Sequence, residues 1–169
     1  MKSISLLPAD TYIAINKTIL TELDRKNIIN LYEPIIGSIA TSLYLTLWSD
    51  LDKRELMSKD FTHHHLMTLL KTSLEDIKEA RKSLEAVGLL KTLYKPENNI
   101  NQYIYELYSP LSSYEFFNHP ILNIVLYNNI GSSEYESLLN LYKKPNFNYS
   151  NYEDISYTIE QTFKSIPKT

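Results

Sequence analysis

Three consecutive histidines, His63, His64 and His65, lie in the run FTHHHLMTLL and raise the question of a metal site. Thr62 precedes them and is a residue type that caps helices, so the run predicts a helix that begins at His63. Consecutive helical side chains point about 100° apart, and ligands on one helix need a spacing of three or four residues. We therefore expect no metal ion here, but a polar helix start with one imidazole against the core.

The sequence also lacks the residue patterns of other kinds of catalytic site. The chain has no cysteine, which excludes thiol nucleophiles, disulfides and cysteine-ligated zinc. Its three glycines form no phosphate-binding loop, and no serine stands in a nucleophile-elbow sequence. The neighbouring carboxylates Glu153 and Asp154 lie in a Tyr/Asn-rich segment, where we expect them to be solvated. The sequence predicts a protein that is not an enzyme and requires no cofactor.

Composition and charge indicate one ordinary globular unit. The chain has 169 residues, 43% hydrophobic and 22% charged, with a net charge of −3. Residues 61–95 carry six basic and four acidic side chains, a net +2, whereas residues 96–169 carry four basic and eight acidic ones, a net −4. The longest uncharged apolar run, Pro34–Ser49, is shorter than the roughly 20 residues of a membrane span. We expect a cytoplasmic protein with at most weak affinity for nucleic acid.

The first third of the chain predicts a strand and two helices. Asp10–Asn16 has the composition of a short strand, and Thr21 begins a helix through a capping pattern with Asp24. Pro34 and Gly37 are expected to end that helix. A second helix is then expected from Ser38 to Leu51, with two adjacent apolar rows that make it central and buried. These rows include the only tryptophan, Trp48, as a core residue.

The middle of the chain has the element order of a winged helix-turn-helix. Thr62 can begin a short helix that runs to Leu70, and Ser73 can cap another. The second helix carries an apolar stripe: Leu74, Ile77, Ala80, Leu84 and Val87. Gly88 ends it, and two strand-like runs, LLKTLYK and NQYIYELYS, follow around the turn PENNI.

Two more helices are predicted after Pro110, with Gly131 between them and with Pro120 restarting the first. The fold prediction is therefore mainly α with a small β-hairpin wing: a winged helix-turn-helix with additional C-terminal helices. We divide it into a winged-helix core, residues 1–109, and a helical extension for packing or oligomerisation, residues 110–169.

In a helix-turn-helix the second helix enters the major groove. Here that helix, SLEDIKEARKSLEAVG, begins with acidic residues and presents acids and bases in equal number, which phosphates do not favour. Weak DNA contact is one alternative, through five candidate residues: Arg81, Lys82, Lys91, Tyr94 and Lys95. The other is a helix-turn-helix used for protein docking and assembly. A DNA-binding winged-helix regulator therefore stays open beside an assembly scaffold.

The segment SSYEFFNHPILNIVLYNNI carries an apolar band that is wide for one small domain to cover. One interpretation is a self-association surface with five candidate residues: Tyr114, Phe116, Phe117, Ile121 and Val125. The alternative is that the band packs against the chain's own helix, Ser38–Leu51. We favour self-association as a dimer or tetramer with closed symmetry.

Several long blocks carry a resemblance to one family: LYEPIIGSIATSLYLTLWSDLD, THHHLMTLL, ARKSLEAVGLLKTLYK and NQYIYELYSPLSSYEFFNHPIL. They resemble the N-terminal domain of Gram-positive DnaB, the helicase co-loader also called the replication initiation and membrane attachment protein, and especially its staphylococcal members. The resemblance covers the chain from Leu6 to about Asp154.

The resemblance implies a self-associating winged-helix domain that takes part in primosome assembly. It implies action with a DnaD-type protein and an ATPase helicase loader in replication initiation and restart. It also implies a cytoplasmic, nucleoid-associated location, with membrane attachment of the full-length protein although no spanning segment is predicted here. Trp48 lies outside the context of the family's single-stranded-DNA motif, so the chain resembles an N-terminal fragment without the principal DNA-binding part.

Overall fold

The computed structural model describes residues 4–52, 56–144 and 147–164. In that part of the chain the strands are β1 (Thr11–Asn16), β2 (Phe61–Thr62), β3 (Leu90–Glu97) and β4 (Ile100–Leu107). The helices are α1 (Glu22–Asn27), α2 (Glu33–Ser49), α3 (His63–Leu70), α4 (Leu74–Ala86), α5 (Ser113–Phe117), α6 (Leu122–Tyr142) and α7 (Ile159–Thr162), and a π-helical turn (Ile28–Tyr32) joins α1 to α2. The predicted winged helix-turn-helix with additional helices is confirmed.

The start of α1 follows the predicted capping box. The Thr21 hydroxyl accepts from the Asp24 N–H at 3.1 Å, and the Asp24 carboxylate accepts from the Thr21 N–H at 2.9 Å. The prediction that Pro34 ends this helix is wrong, because Pro34 lies in the first turn of α2, where its missing N–H costs no helical hydrogen bond. Gly37 does interrupt the helix, with φ +85°.

Helix α2 runs through the centre of the molecule, as predicted. Leu43, Tyr44 and Leu47 are each at most 1% exposed, and α2 contacts α3, α4 and α6 as well as the sheet. Trp48 is half-buried against this core, with its ring edge-on to Tyr44 at 6.2 Å between centroids. The apolar rows of α2 therefore form the central packing surface of the molecule.

The helix-turn-helix itself follows local signals. Lys71, in the left-handed region with φ +50°, ends α3, and the Ser73 hydroxyl caps α4 by accepting from the Asp76 N–H. The buried face of α4 is the predicted stripe, with Ile77 and Leu84 at most 1% exposed. The stripe thus orients α4, with Glu75, Glu79 and Lys82 exposed to solvent.

The sheet is larger than the predicted two-stranded wing. Its strand order is β2-β1-β4-β3, and β1 pairs in parallel with β4, so that Ile13 lies opposite Ile104. The expected hairpin of β3 and β4 is antiparallel, as predicted. The N-terminal strand is thereby built into the wing, and Tyr12 and Ala14 of β1 become core residues.

The C-terminal helices share one core with the winged helix. Phe116, Leu122 and Leu126 are at most 9% exposed and belong to the same buried cluster as Tyr12 and Leu43. The restart around Pro120 is confirmed, because α5 ends at Phe117 and α6 begins at Leu122. Gly131, with φ +81°, interrupts α6 where two helices were predicted. A division at residue 109 stays a prediction, and the described core crosses it.

The stretch Glu22–Ser49 is long and apolar enough to cross a membrane by length and composition alone. It contains the π-helical turn and the interruption at Gly37, and its side chains at Ile28, Leu31 and Leu47 are completely buried in the core. Part of its apolar character therefore serves core packing.

Truncation of Leu43 to alanine should lower the free energy of unfolding by about 2–5 kcal/mol, because it leaves a cavity in the central core. The matched control is Ile39→Ala on the same helix, where the side chain is 40% exposed and the loss should be roughly 1 kcal/mol or less. Urea denaturation followed by circular dichroism measures both. Equal losses for the two variants would show that α2 does not pack by this face.

Candidate functional site

The three histidines point in three directions, as the helical geometry of α3 requires. His63 is completely buried, His64 is exposed, and His65 lies at intermediate depth. The Thr62 hydroxyl accepts from the His65 N–H, so the predicted helix start is confirmed. Among residues 4–52, 56–144 and 147–164, no group of three His, Cys, Asp or Glu side chains is placed to hold a metal ion. The splayed imidazoles therefore form no ligand set.

His63 is bonded at both ring nitrogens. Nδ1 lies 2.6 Å from the Asp10 carbonyl oxygen and Nε2 lies 2.6 Å from the Tyr105 hydroxyl. A carbonyl oxygen can only accept, so Nδ1 carries the proton and Nε2 accepts from the tyrosine. The His63 ring also lies edge-on to Tyr12, Tyr103 and Tyr105, at 5.3–5.7 Å between centroids. The buried imidazole therefore links α3 to the residue before β1 and to β4 through hydrogen bonds.

The electrostatics of this site favour neutral groups. Burial lowers the pKa of His63, against the opposing effect of its bond to the Asp10 backbone. Burial likewise raises the pKa of Tyr105, and burial together with the nearby Asp50 carboxylate raises the pKa of Tyr12. A neutral imidazole beside a neutral phenol suits a structural hydrogen bond.

A second polar cluster adjoins the first. The Tyr12 hydroxyl donates to one Asp50 carboxylate oxygen at 2.6 Å, and His65 Nε2 lies 3.2 Å from the other. The His65 ring stacks on Phe61 at 4.3 Å between centroids, with 15° between the planes. We expected one imidazole against the core, and the structure engages two.

Sequence reasoning missed the residues that hold these histidines. The sequence pattern places Asp10 at the start of a strand and Tyr12 within it, and it predicts no contact of either residue with His63. The alternation of NQYIYEL in β4 was a usable signal, since a period of two places Tyr103 and Tyr105 on one face. The pairing of β1 with β4, which brings Asp10 near that face, had no local signal.

Arg81, predicted as an exposed DNA contact, is instead sequestered, and that prediction needs correction. Its side chain is 14% exposed, its Nε lies 3.1 Å from the Glu85 carboxylate, and its guanidinium lies 5.7 Å from the centre of the Tyr103 ring. The aromatic sheet draws in the long apolar stem, because a guanidinium packs well on a ring face. Arg81 therefore supports the fold of the wing.

The other DNA candidates are separated or paired. Lys82 is exposed on α4 but lies 3.3 Å from Glu79, and Lys95 on β3 lies 2.9 Å from Glu97. Lys91 is exposed, whereas Tyr94 is half-buried with its ring 5.6 Å from Tyr103. The structure brings Arg81 and Tyr94 together around Tyr103, where both side chains are partly buried. The surface has no continuous row of unpaired cations through these five positions.

The five interface candidates divide into buried and exposed positions. Phe116 is completely buried, edge-on to Tyr32 at 5.1 Å, so its place is in the core and the interpretation as an interface residue needs correction. Phe117 and Val125 are half-buried. Tyr114 is 78% exposed and Ile121 is 65% exposed. The band therefore has an inner face that packs on this chain and an outer face that does not.

Lowering the pH should weaken the fold through His63. Its folded pKa lies below the unfolded value of about 6.5, so the unfolded chain takes up the proton first and stability is lost as pH falls through that value. Relative to His63→Gln, the wild-type free energy of unfolding should fall by up to about 1.4 kcal/mol per pH unit below pH 6.5. Urea titrations between pH 5 and 8 measure the difference.

The control for this titration is His64→Gln, which removes an exposed imidazole and should retain the wild-type pH dependence. All three proteins carry the same carboxylates, so the comparison isolates the histidine that differs. Parallel pH profiles for wild type and His63→Gln would contradict the assignment of His63 as a neutral buried group.

Comparison with known proteins bears on the whole chain. The family model of the DnaB N-terminal winged helix domain matches residues 6–168. The chain is 29% identical over 139 residues to the replicative helicase loading/DNA remodeling protein DnaB of Staphylococcus aureus, covering 82% of this chain and 30% of that protein. The crystal structure of primosome protein DnaB, residues 1–300, from Geobacillus stearothermophilus superposes with a TM-score of 0.83 and 31% identity, covering 92% of this chain and 59% of that chain.

The chain thus spans less than a third of the curated relative and about three fifths of the crystallised chain that it matches. The fold resemblance includes the helices after the wing, since the match covers nearly all of this chain. Because the family model extends from the N-terminal strand to the last short helix, this chain belongs to the family of DnaB N-terminal winged helix domains.

Proposed function

We propose that this chain is a non-catalytic assembly and oligomerisation domain for helicase loading in bacterial replication initiation and restart. Its similarity to a replicative helicase loading protein and to a primosome protein supports a role in replication initiation. The observation that carries the finer proposal is a set of exposed apolar side chains between Tyr114 and Tyr127, in α5, the link to α6 and the start of α6.

We call this set the outer α6 row, and it has four members. They are Tyr114 (78% exposed), Ile121 (65%), Ile124 (56%) and Tyr127 (45%). The inner residues of the same segment, Phe116, Leu122 and Leu126, belong to the core, whereas the side chains of the outer row are exposed. Large apolar side chains grouped on a surface are typical of protein interfaces, where aromatic residues are enriched.

The helix-turn-helix supports the same conclusion. In a DNA-reading winged helix the second helix offers free cations and amides to the groove. Here Arg81 is sequestered by Tyr103 and Glu85, and Lys82 is near Glu79. The acidic first turn of α4, with Glu75 and Asp76, would face phosphates unfavourably. These contacts suit a scaffold for protein docking.

The partners that we propose follow from the family. The chain would associate with itself as a dimer or tetramer, and with a DnaD-type primosome protein and a helicase loader, in a cytoplasmic, nucleoid-associated assembly. Any membrane attachment would belong to the full-length protein. The surface that receives a different protein is expected outside the outer α6 row if that row joins identical copies.

Self-association should depend on the outer α6 row. The double variant Ile121→Ser, Ile124→Ser should shift the assembly towards monomer at tens of micromolar while leaving the circular dichroism spectrum unchanged, because both side chains are exposed. Sedimentation velocity measures the mass. The matched control is Ile19→Ser, whose side chain is 74% exposed on a different part of the chain. Phe116→Ser should instead unfold the protein, since Phe116 is core.

A wild-type chain that is monomeric at these concentrations would contradict the proposal. So would loss of helical content in the double variant, since that would show that Ile121 and Ile124 belong to the core.

Duplex DNA should bind weakly and without sequence preference, with a dissociation constant no tighter than about 10⁻⁶ M at physiological salt. The reason is that three cations of α4 and β3, Arg81, Lys82 and Lys95, lie near acids. Fluorescence anisotropy with two unrelated duplexes measures the affinity, and Lys82→Ala and Lys91→Ala should each change it by less than about threefold. Tight binding to one duplex that is lost in Lys82→Ala would favour the DNA-binding regulator instead.

A further inference from the structure

The C-terminal part of the chain, residues 147–164, is an arm of apolar side chains that lies open to solvent. Seven large apolar residues of this arm are each at least 60% exposed. They are Phe147, Tyr149, Tyr152, Ile155, Tyr157, Ile159 and Phe163. Single exposed apolar residues are ordinary on protein surfaces, but a succession of seven in one short segment marks a binding element.

The arm has local structure of its own. The Phe147 ring lies 5.1 Å from Tyr149 and 5.9 Å from Tyr152, and the Tyr152 N–H donates to the Tyr149 carbonyl at 2.9 Å. Thr158 begins the short helix α7 with a capping box. Within the described ranges, the hydrogen bonds and ring contacts of the arm join arm residues to one another. The arm therefore has local structure, and its large apolar side chains remain exposed.

A groove that suits such an arm lies between α5 and the end of α6. Its cavity has a volume of about 610 Å³, enough for several side chains. We call it the α5–α6 groove, and its principal lining residues are Tyr114, Phe117, Leu139, Tyr142, Lys143 and Lys144. Phe117 forms its floor, edge-on to Tyr142 at 5.8 Å. The described lining ends at Lys144, so the arm of the same chain contributes nothing to it.

We propose that the arm of one copy of this chain occupies the α5–α6 groove of a second copy, and that the second copy's arm occupies the first groove in return. This inference rests on the proposed self-association and names a segment that carries it. Apolar rings would enter the groove between α5 and α6, and the acidic residues of the arm would lie near the lysines at the rim.

Charge favours this pairing. The arm has three acidic residues, Glu153, Asp154 and Glu160, and one basic residue, Lys164, a net charge of −2. The groove has two lysines, Lys143 and Lys144, and one acid, Glu136, a net charge of +1. Both lysines are exposed and belong to no ion pair within the described part of the chain. Opposite charges at the rim steer and orient such contacts.

A second copy of the chain would cover both exposed surfaces, the arm and the α5–α6 groove. An exchange of arms is a closed two-fold arrangement, in which each copy supplies one arm and one groove. The five aromatic rings of each arm, at about 150 Å² each, would remove about 1,500 Å² from water in the dimer, which reaches the size of a standard stable interface.

Photo-crosslinking tests the exchange in the full chain. Tyr157 is replaced by p-benzoylphenylalanine in ¹⁴N protein, which is mixed with ¹⁵N wild-type protein and irradiated. Mass spectrometry should find the arm of the ¹⁴N copy attached to residues 113–118 or 136–144 of the ¹⁵N copy. The control places the same residue at Ile19, which is 74% exposed against 82% for Tyr157 and should give no attachment to the groove.

Charge reversal gives a second readout without touching the core. Lys143→Glu with Lys144→Glu should raise the dissociation constant of the assembly by at least about fivefold, and so should Glu153→Lys with Asp154→Lys. Combining the four changes in one chain should recover the wild-type constant. Sedimentation velocity measures the constants, and circular dichroism confirms the fold of each variant.

The outcomes separate this inference from the proposed function. A monomeric wild-type chain would overturn both. An assembled chain whose arm attaches only to its own copy, or to residues outside the groove, would overturn the exchange and leave self-association intact. The exchange would also be overturned if the variant with all four charge changes assembles no more tightly than the two double variants. The expected result has two parts. The arm of the ¹⁴N copy is attached to the groove of the ¹⁵N copy, and the chain that combines all four charge changes recovers the wild-type dissociation constant.

Discussion

The completely buried Asp10 connects three parts of the molecule through hydrogen bonds, and the position of the winged helix depends on it. Its carboxylate accepts from the N–H of Leu7 at 2.8 Å and from that of Asn101 at 3.0 Å, while its carbonyl accepts from the backbone N–H and Nδ1 of His63. A buried polar group without partners costs free energy, so each of these bonds constrains the others. The N-terminal strand, the first helix of the helix-turn-helix and the wing are thereby held in one arrangement.

This arrangement supports our proposal that the second helix of the motif does not read DNA. With α3 bound to the sheet through His63 and Tyr105, α4 lies against the tyrosines of β4, and Arg81 packs over Tyr103. A guanidinium that holds the wing in place is not available to a phosphate. The tyrosines of β4 stabilise the fold, and they also draw the Arg81 guanidinium away from the solvent-facing side of α4.

Local signals predicted most helices and the hairpin, because caps, apolar stripes and turns act over a few residues. The Thr21 box, the Ser73 cap and the stripe of α4 are such cases. The parallel pairing of β1 with β4 could not be predicted, since it joins segments that carry no shared pattern. The partners of His63 could not be predicted for the same reason, because Asp10 and Tyr105 are far from it in sequence. The division of the apolar band into Phe116 inside and Ile121 outside also depends on the angle at which α5 and α6 pack, which periodicity alone leaves open.

The pairing of β1 with β4 also governs when this domain can fold. Asp10 and Asn101 are bonded across a sequence separation of 91, and the strands on either side of that bond pair residue by residue. A contact so distant in sequence forms only after a long loop closes, which is slow compared with helix formation. During synthesis the N-terminal strand cannot pair with β4 until β4 has emerged from the ribosome. The core residues Tyr12 and Ala14 of this strand therefore stay unburied until then. Until then this strand has an open edge, so the nascent chain passes through a period in which that edge is exposed to other strands.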